Sequence, residues 1–252
     1  MVHHLVADWQ VIADLSFADL LLVLQKGDGS FVIAEQCRPS TVMSLRVDDL
    51  VGCTMDPEFT EELTEAMHSE GVYRSSILRT IGGSTVCNVY APIRHDGKTL
   101  GLVVRETNMA TRESNGRYES ESISAGKRLF TMIPRGQFPY KDAVLNQRHN
   151  ARVADGFIIL TVDGDVQYAS PNGISCFRRL GMLDTMEGGN LGEIGTGLIH
   201  ETTPCPNRCR SSCSAKPRWT PRWTPTVRRS RCARCRSWTP RGAPVRLCCA
   251  GT

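Results

Sequence analysis

The sequence has no long apolar run and no export signal at its N-terminus. The longest uninterrupted apolar run, Leu20–Leu24, has only the length of a strand, whereas a helix that spans a membrane needs about 18 apolar residues. His3 and His4 stand where an export signal would carry basic residues, and no long apolar segment follows them. These absences predict a soluble, cytoplasmic protein, and its 252 residues are enough for one or two domains.

From residue 200 onward the chain has almost no acidic and almost no branched aliphatic side chains. Among these 53 residues Glu201 is the one acid, and the branched aliphatic residues are Val227, Val245 and Leu247. This tail carries 12 basic residues and a net charge of +11, whereas residues 1–199 carry 18 basic and 25 acidic residues and a net charge of −7. The overall charge of +4 therefore averages two unlike segments.

What the tail does contain suggests three functions. Its cysteines could enclose a zinc ion or form disulfides, although their number is odd and no export signal precedes them. Its eleven arginines and three tryptophans could neutralise phosphates and stack on bases. The residues concerned are Cys205, Cys209, Cys213, Cys232 and Cys235 for zinc, and Trp219, Trp223 and Trp238 for nucleic acid.

A shift of the reading frame accounts for the whole composition of the tail. Arg, Pro, Cys, Ser, Trp and Thr are what GC-rich coding DNA yields when it is read out of frame. If Arg218–Pro225 is written with the codons CGG-TGG-ACG-CCG twice, reading from the third base gives Val-Asp-Ala-Ala-Val-Asp-Ala, an ordinary helical sequence. Because so few aliphatic side chains cannot offset the entropy of ordering, we expect residues 200–252 to be a disordered frameshift product.

The first 135 residues or so show alternating signals for helices and hairpins. Apolar residues at helical spacing predict a helix over residues 3–18. Two apolar runs on either side of the turn Lys26–Gly29 predict a β-hairpin. Asp56 followed by Pro57 predicts the start of a second helix, because Asp caps the free N–H groups there and proline needs no hydrogen bond at this position.

A second hairpin and a third helix follow. Residues 87–94 alternate between apolar and polar side chains, which predicts a half-buried strand. Asp96-Gly97 supplies the turn, Thr99–Arg105 returns as the partner strand, and residues 118–133 have helical periodicity. We interpret Ile81–Ser84 as a turn between strands, not as a phosphate-binding loop. The pattern predicts one α+β domain with an antiparallel sheet.

The polar segment 137–152 is predicted to be a linker to a second unit. The unit is expected to contain a hairpin, a short helix that begins at a proline and ends at a glycine, and another short helix. These elements are predicted over Gly156–Val162, Val166–Ala169, Pro171–Gly181 and Asn190–Ile194, with Asp163-Gly164 as the turn of the hairpin.

Several blocks of this sequence resemble a family of bacterial signalling proteins. Asp155–Asn172, a hairpin that leads into a helix through Ser-Pro-Asn, looks like the opening of a PAS domain, and the preceding unit resembles a GAF domain. Residues 5–199 are similar to the actinobacterial cytosolic sensor histidine kinases of the PdtaS type. The matching blocks are Trp9, Asp14–Leu22, Gln36–Pro39, Asp49–Gly52, Pro92–Gly97, Arg105–Asn108, Gly136–Pro139 and Arg178–Gly181.

The resemblance implies a division into four segments. These are a GAF-like sensor domain (1–136), a linker (137–152), the N-terminal part of a PAS domain (153–199) and the basic tail (200–252). The resemblance further implies a homodimer that responds to a small-molecule or redox signal. It also implies a response regulator of the antitermination type as partner.

In such kinases the phosphoacceptor-histidine and ATP-binding domains follow the PAS domain. In this sequence the amino-acid composition changes at about residue 200, before those domains would begin. We therefore expect no catalytic residue, no metal site and no cofactor in this chain, whereas the parent family uses ATP and Mg. About five strands make a PAS sheet, and two precede the break, so the PAS unit is expected to be incomplete with an exposed edge. The alternative is a free-standing GAF-like ligand-binding module with a nucleic-acid-binding tail.

Three cysteines are the candidate sensor residues. Cys37, Cys53 and Cys87 lie in the GAF-like part, and a thiolate is both a soft metal ligand and a nucleophile. The other interpretation is burial as small apolar side chains, which the place of Cys87 on the apolar side of its strand favours.

Two further groups of residues have alternative explanations. Leu5, Trp9 and Ile12 could pack in the core or form the seam of a helix–helix dimer. We interpret Glu61, Glu62 and Glu65 as a solvated acidic face, and His95 with Asp96 as part of a hairpin turn and not a metal pair.

Overall fold

The computed structural model describes residues 2–110, 116–139 and 152–201, and the side chains of 5–110, 116–139 and 152–198. The chain divides into two units, Met1–Val153 and Ala154–Thr252. The predicted linker lies mostly outside the described residues, and so does the tail beyond Glu201. No helix in the described ranges is long and apolar enough to cross a membrane.

The described residues of the first unit form four α-helices and five strands. The helices are α1 (Val2–Asp8), α2 (Gln10–Ser16), α3 (Thr60–His68) and α4 (Arg117–Met132), and a 3-10 turn, Pro57–Phe59, leads into α3. The strands are β1 (Ala18–Gln25), β2 (Phe31–Cys37), β3 (Tyr73–Ile81), β4 (Ser84–His95) and β5 (Lys98–Asn108).

All five strands form one antiparallel sheet in the order β2-β1-β5-β4-β3. The two predicted hairpins are β1–β2 and β4–β5, and the predicted turn between strands joins β3 to β4 at Gly82 and Gly83. Both glycines have positive φ, 56° and 79°, which explains why two of them stand there. The predicted α+β class with an antiparallel sheet and flanking helices is confirmed.

The sheet is covered on both sides. One side, here called the α3 face, packs Leu21, Tyr90 and Leu102 against Leu63 of α3 in a continuous core. The other side, here called the helix-pair face, lies under α2 and α4, where Arg105 of β5 meets the ring of Phe130. The prediction that β4 is half-buried was therefore wrong, because Asn88, Tyr90 and Pro92, on the side predicted to be polar, are buried as well.

The predicted N-terminal helix is broken into two. α1 ends at Asp8, α2 begins after Trp9, and α2 ends at Phe17, whose backbone is left-handed with φ 49°. At the break, the N–H of Trp9 donates to the carbonyl of Leu5 and the N–H of Ala13 donates to the carbonyl of Trp9. At the end of α2, the N–H of Phe17 donates to the carbonyls of Ala13 and Asp14. Asp56 caps the 3-10 turn as predicted, since its side chain accepts a hydrogen bond from the N–H of Glu58.

A glycine lets the two helices of the helix-pair face meet at their backbones. A Cβ on Gly126 of α4 would lie 2.5 Å from Ser16 Oγ, 3.0 Å from Ser16 N and 3.1 Å from the carbonyl carbon of Leu15. Such distances are shorter than side-chain atoms allow, and backbone atoms have little room to shift. Only glycine at this position allows α4 to contact the end of α2.

The described part of the second unit is a hairpin with two helices. Its elements are β6 (Ile158–Leu160), β7 (Val166–Ala169), α5 (Pro171–Arg179) and α6 (Leu191–Glu201). The first strand is shorter and the last helix longer than predicted. Ile158, Phe177 and Leu198 share one apolar core, so the hairpin, α5 and α6 pack together. Ser170 fixes the start of α5, because its Oγ accepts from the N–H groups of Phe157 and Gly173.

Candidate functional site

A chain of buried polar side chains crosses the α3 face. The hydroxyl of Tyr90 donates to Glu62 Oε2 over 2.7 Å, and Asn88 Nδ2 donates to the same hydroxyl over 3.4 Å. Arg79 Nη2 closes the other end at 3.0 Å from Glu62 Oε1. We call these four residues, Glu62, Arg79, Asn88 and Tyr90, the polar chain.

Local structure brings the polar chain together from three elements. Asn88 and Tyr90 are two residues apart on β4, so their side chains leave the same face of the sheet. Glu62 comes from the first turn of α3, where the helix packs on that face. Arg79 comes from the edge strand β3 and lies over the ring of Phe59, 4.3 Å from its centroid. The cation–π contact holds the guanidinium over the apolar core.

Two polar atoms of the chain have no hydrogen-bond partner. The proton of the Tyr90 hydroxyl is used on Glu62, so this oxygen can only accept from Asn88, which turns the amide nitrogen of Asn88 toward it. Asn88 Oδ1 is then left buried without a hydrogen-bond partner, and Arg79 Nε is also buried without one. A buried polar group without a partner costs about 1–3 kcal/mol. The polar chain thus offers one acceptor and one donor to a bound molecule.

The chemistry of the polar chain is that of binding, not of proton transfer at neutral pH. Burial raises the pKa of Tyr90, and its hydrogen bond to the Glu62 carboxylate raises it further. The tyrosine therefore keeps its proton at neutral pH and acts as a fixed donor. Glu62 accepts this hydrogen bond through Oε2, while its Oε1 pairs with Arg79.

Residues 38–56 lie beside the polar chain as a loop held down by ionic contacts. Arg46 binds Glu106 of β5 through two hydrogen bonds of 2.8 Å each, and Glu106 is fully buried. Asp19 of β1 accepts from the backbone of Leu45 at 2.8 Å and from the hydroxyl of Ser44. Since Glu106 lies directly opposite Asn88 in the sheet, the loop is anchored next to the polar chain.

Sequence reasoning missed the polar chain and misjudged one of its members. Glu61 and Glu65 are exposed as predicted, but Glu62 is buried and paired, so the solvated acidic face is wrong at this position. Its partner Arg79 is 17 residues away, beyond the reach of helical spacing. The usable signal was the pair Asn88 and Tyr90, which stand at alternate positions of β4 and so share one face of the sheet.

The structure separates the three candidate thiols. Cys37 and Cys87 are buried, whereas Cys53 is exposed. Burial raises the pKa of Cys37 to about 12, with Asp14 and Asp19 adding to the effect. Among the described residues no group of three or more His, Cys, Asp or Glu could hold a metal ion. His95 and Asp96 are exposed on the β4–β5 turn, as expected of turn residues.

Labelling of the folded protein is expected to distinguish these thiols. We predict that N-ethylmaleimide alkylates Cys53 at least about tenfold faster than Cys37 or Cys87, because buried groups react only after local opening. Peptide mass spectrometry assigns the label to each cysteine, and unfolding in urea is the control that equalises the three rates. Equal rates in the folded protein would contradict the placement of these cysteines.

The same burial makes the protein sensitive to alkali. In the folded state the thiol of Cys37 has a pKa of about 12, against 9.0 for an ordinary thiol. The stabilisation that comes from this buried thiol is therefore complete below pH 9 and is lost as the pH rises from 9 to 12. We expect Cys37→Ser to flatten the fall of unfolding free energy by up to about 1.4 kcal/mol per pH unit. The matched change Cys53→Ser, at an exposed thiol, should leave the slope unchanged in urea titrations from pH 8 to 11.

Leu5, Trp9 and Ile12 are all buried within the first unit, with exposed fractions of 2%, 4% and 0%. The structure therefore brings these three residues together in the core that supports α1 and α2. This is one of the two alternatives that their helical spacing allowed.

Comparisons with known proteins agree with this architecture. Residues 1–125 match the sequence family described as the GAF domain of histidine kinase PdtaS. The sensor histidine kinase PdtaS of Mycolicibacterium smegmatis is 32% identical over 203 residues, and that of Mycobacterium tuberculosis is 33% identical over 207. Each match covers 79% of this chain and 41% of the relative, so the chain spans well under half the length of these kinases.

A solved structure described as the sensor region of a sensor histidine kinase is also similar. It is 31% identical, with a TM-score of 0.63, over 77% of this chain and 66% of the other.

The five-stranded sheet between α3 and the α2–α4 pair, with the family match over residues 1–125, defines the first unit as a GAF domain of a sensory protein. The chain contains the GAF sensory region of a PdtaS-like sensor histidine kinase.

Proposed function

We propose that the GAF domain binds its signal at the polar chain of the α3 face. The observation that carries this proposal is the pair of unpaired buried atoms, Asn88 Oδ1 and Arg79 Nε, within one hydrogen-bonded chain. A small polar molecule with one donor and one acceptor would satisfy both and remove their cost. Binding there would also affect the loop of residues 38–56, because Arg46 of this loop is hydrogen-bonded to Glu106, which lies opposite Asn88 in the sheet.

We propose that the second unit is the N-terminal part of a PAS domain, with the GAF domain over 1–136 and a linker over 137–152. The hairpin β6–β7 followed directly by the capped helix α5 supports this assignment. The parent kinase would be cytoplasmic and dimeric and would pass phosphate from ATP to a response regulator of the antitermination type. In this chain, residues 1–199 would bind the signal and contribute dimer contacts without catalysing that transfer.

We further propose that residues 200–252 are read in a shifted frame. The relatives match 79% of the chain, a share that equals about 199 of its 252 residues, the length that precedes the change of composition. Translation of the coding DNA in the other frame after about codon 200 tests this. Continued PAS and kinase sequence is the expected result, and an immediate stop codon would overturn the proposal.

A thermal-shift screen of the full chain against nucleotides, amino acids, sugars and small organic acids tests the binding proposal. A compound that raises the unfolding temperature of the unchanged protein should lose most of this effect in Tyr90→Phe, because that change frees Glu62 and releases Asn88. Tyr73→Phe is the matched control, since Tyr73 also donates to a glutamate of α3, Glu65, but on the exposed side. Equal loss in both variants, or no stabilising compound, would argue against the polar chain.

A further inference from the structure

A small cavity lies on the helix-pair face, on the side of the sheet opposite the polar chain. Its volume is about 20 Å³. It is lined by three cationic side chains and six uncharged ones, namely Arg74, Arg105 and Lys127 with Ser16, Phe17, Cys87, Val89, Thr107 and Ile123. No carboxylate is among these nine lining residues. Three of the nine lining residues are thus cationic and none is anionic.

The sheet sets the spacing of the two arginines. Arg74 of β3 is paired with Val89 of β4, and Val89 is paired with Arg105 of β5. The two arginines thus lie two strands apart, about 10 Å between backbones, with the short Val89 between them. Long side chains that flank a short one can converge above it, and a guanidinium presents several N–H donors to an anion.

The two helices supply the other wall. Ile123 and Lys127 are one turn apart on α4, so both face the sheet side of that helix. Ser16, at the end of α2, lines the same cavity, and its Oγ is buried without a hydrogen-bond partner. Ser16 is only 4% exposed. A hydroxyl in that state is a donor available to a bound group.

We propose that this cavity is a binding site for a small inorganic anion of the size of chloride. The volume accommodates about one atom of that size, which excludes nucleotides and most metabolites as occupants of the cavity itself. The anion would receive charge-assisted hydrogen bonds from Arg74 and a hydrogen bond from Ser16. The site is separate from the polar chain, so the proposal stands whether or not the signal binds there.

Because Cys87 lines the cavity, its thiol reports on the occupant. The full chain is alkylated slowly with N-ethylmaleimide at fixed ionic strength while chloride replaces gluconate, and peptide mass spectrometry follows Cys87. Cys53, exposed and not among the lining residues, is the internal reference in the same digest. We expect chloride to slow alkylation of Cys87 saturably relative to Cys53, because an anion in the cavity covers the thiol.

Variants test whether chloride slows the alkylation of Cys87 by binding in the cavity. Every variant keeps the basic tail, so a difference between variants cannot come from the tail. Arg74→Gln should weaken the apparent chloride affinity by about tenfold, because one charge-assisted contact is lost. Ser16→Ala should weaken it by a smaller factor. Lys98→Gln removes the same charge at an exposed position outside the cavity and should behave as the unchanged protein.

Bromide and sulfate complete the test. Bromide should act as chloride does, whereas sulfate should be much weaker, since it is too large for the cavity. An equal effect of sulfate, or an equal loss in Lys98→Gln, would show that the anion acts outside the cavity. No saturable effect of chloride would show that water alone fills the cavity. Each of these results would overturn the proposal. If Arg74→Gln fails to fold, Ser16→Ala carries the test: a weaker apparent chloride affinity supports the site, and an unchanged affinity overturns it.

Discussion

Arg46→Met is expected to lower the free energy of unfolding by about 3–5 kcal/mol, because it leaves a fully buried carboxylate without its ion-pair partner. Glu106 has no exposed side-chain surface, whereas 22% of the Arg46 side chain is exposed. The hydrogen bonds to Glu106 raise the pKa of Arg46, as expected of a paired cation. Urea denaturation followed by circular dichroism measures the loss.

The double variant Arg46→Met/Glu106→Leu should regain most of that loss, since it removes both charges and replaces them with apolar side chains. Glu58→Gln is the matched control, because Glu58 pairs with Arg79 on the surface and is 56% exposed. Exposed pairs contribute at most about 1 kcal/mol. A loss in Arg46→Met no larger than in this control would show that the loop of residues 38–56 is not held by the ion pair.

Trp9→Ala is expected to cost about 3–5 kcal/mol of unfolding free energy, the usual price of removing a large aromatic side chain from a packed core. Trp9 is 4% exposed in the single chain, without a second copy. The fall in unfolding temperature should therefore be the same at all protein concentrations. A seam between two chains would instead make it depend on concentration by mass action.

Trp9→Phe serves as the conservative control and should lose less than half as much, since most of the ring contacts remain. Thermal unfolding measured over a hundredfold range of protein concentration separates the two explanations. A concentration-dependent midpoint that Trp9→Ala abolishes would contradict the core placement and support the seam.

The sequence was informative where the cause of a structure is local. Turn glycines, the Asp56 cap and the alternation of β4 all act over a few residues, and they predicted both hairpins and the start of the helix that follows. Apolar spacing also identified Leu5, Trp9 and Ile12 as one cluster. The spacing could not show what covers these side chains, because apolar residues on one helix face occur both in a domain core and in a dimer interface.

The rest depends on contacts between distant segments. The residue range of β3 was not predicted, because it is an edge strand with a bulge between Arg74 and Leu78, which breaks its alternation. The pairing of Arg46 with Glu106 spans 60 residues, and that of Arg79 with Glu62 spans 17. No periodicity carries such information, so the polar chain and the anchored loop became visible only in the fold.

The glycine contact between α4 and α2 has a mechanical consequence. α2 leads directly into β1 and α4 follows β5, which is the neighbour of β1 in the sheet. The chain therefore enters and leaves the domain on one side, through two segments fastened backbone to backbone at Gly126. A closely packed contact of this kind transmits strain instead of absorbing it. A twist of the central strands would thus rotate α2 and α4 together as one rigid pair.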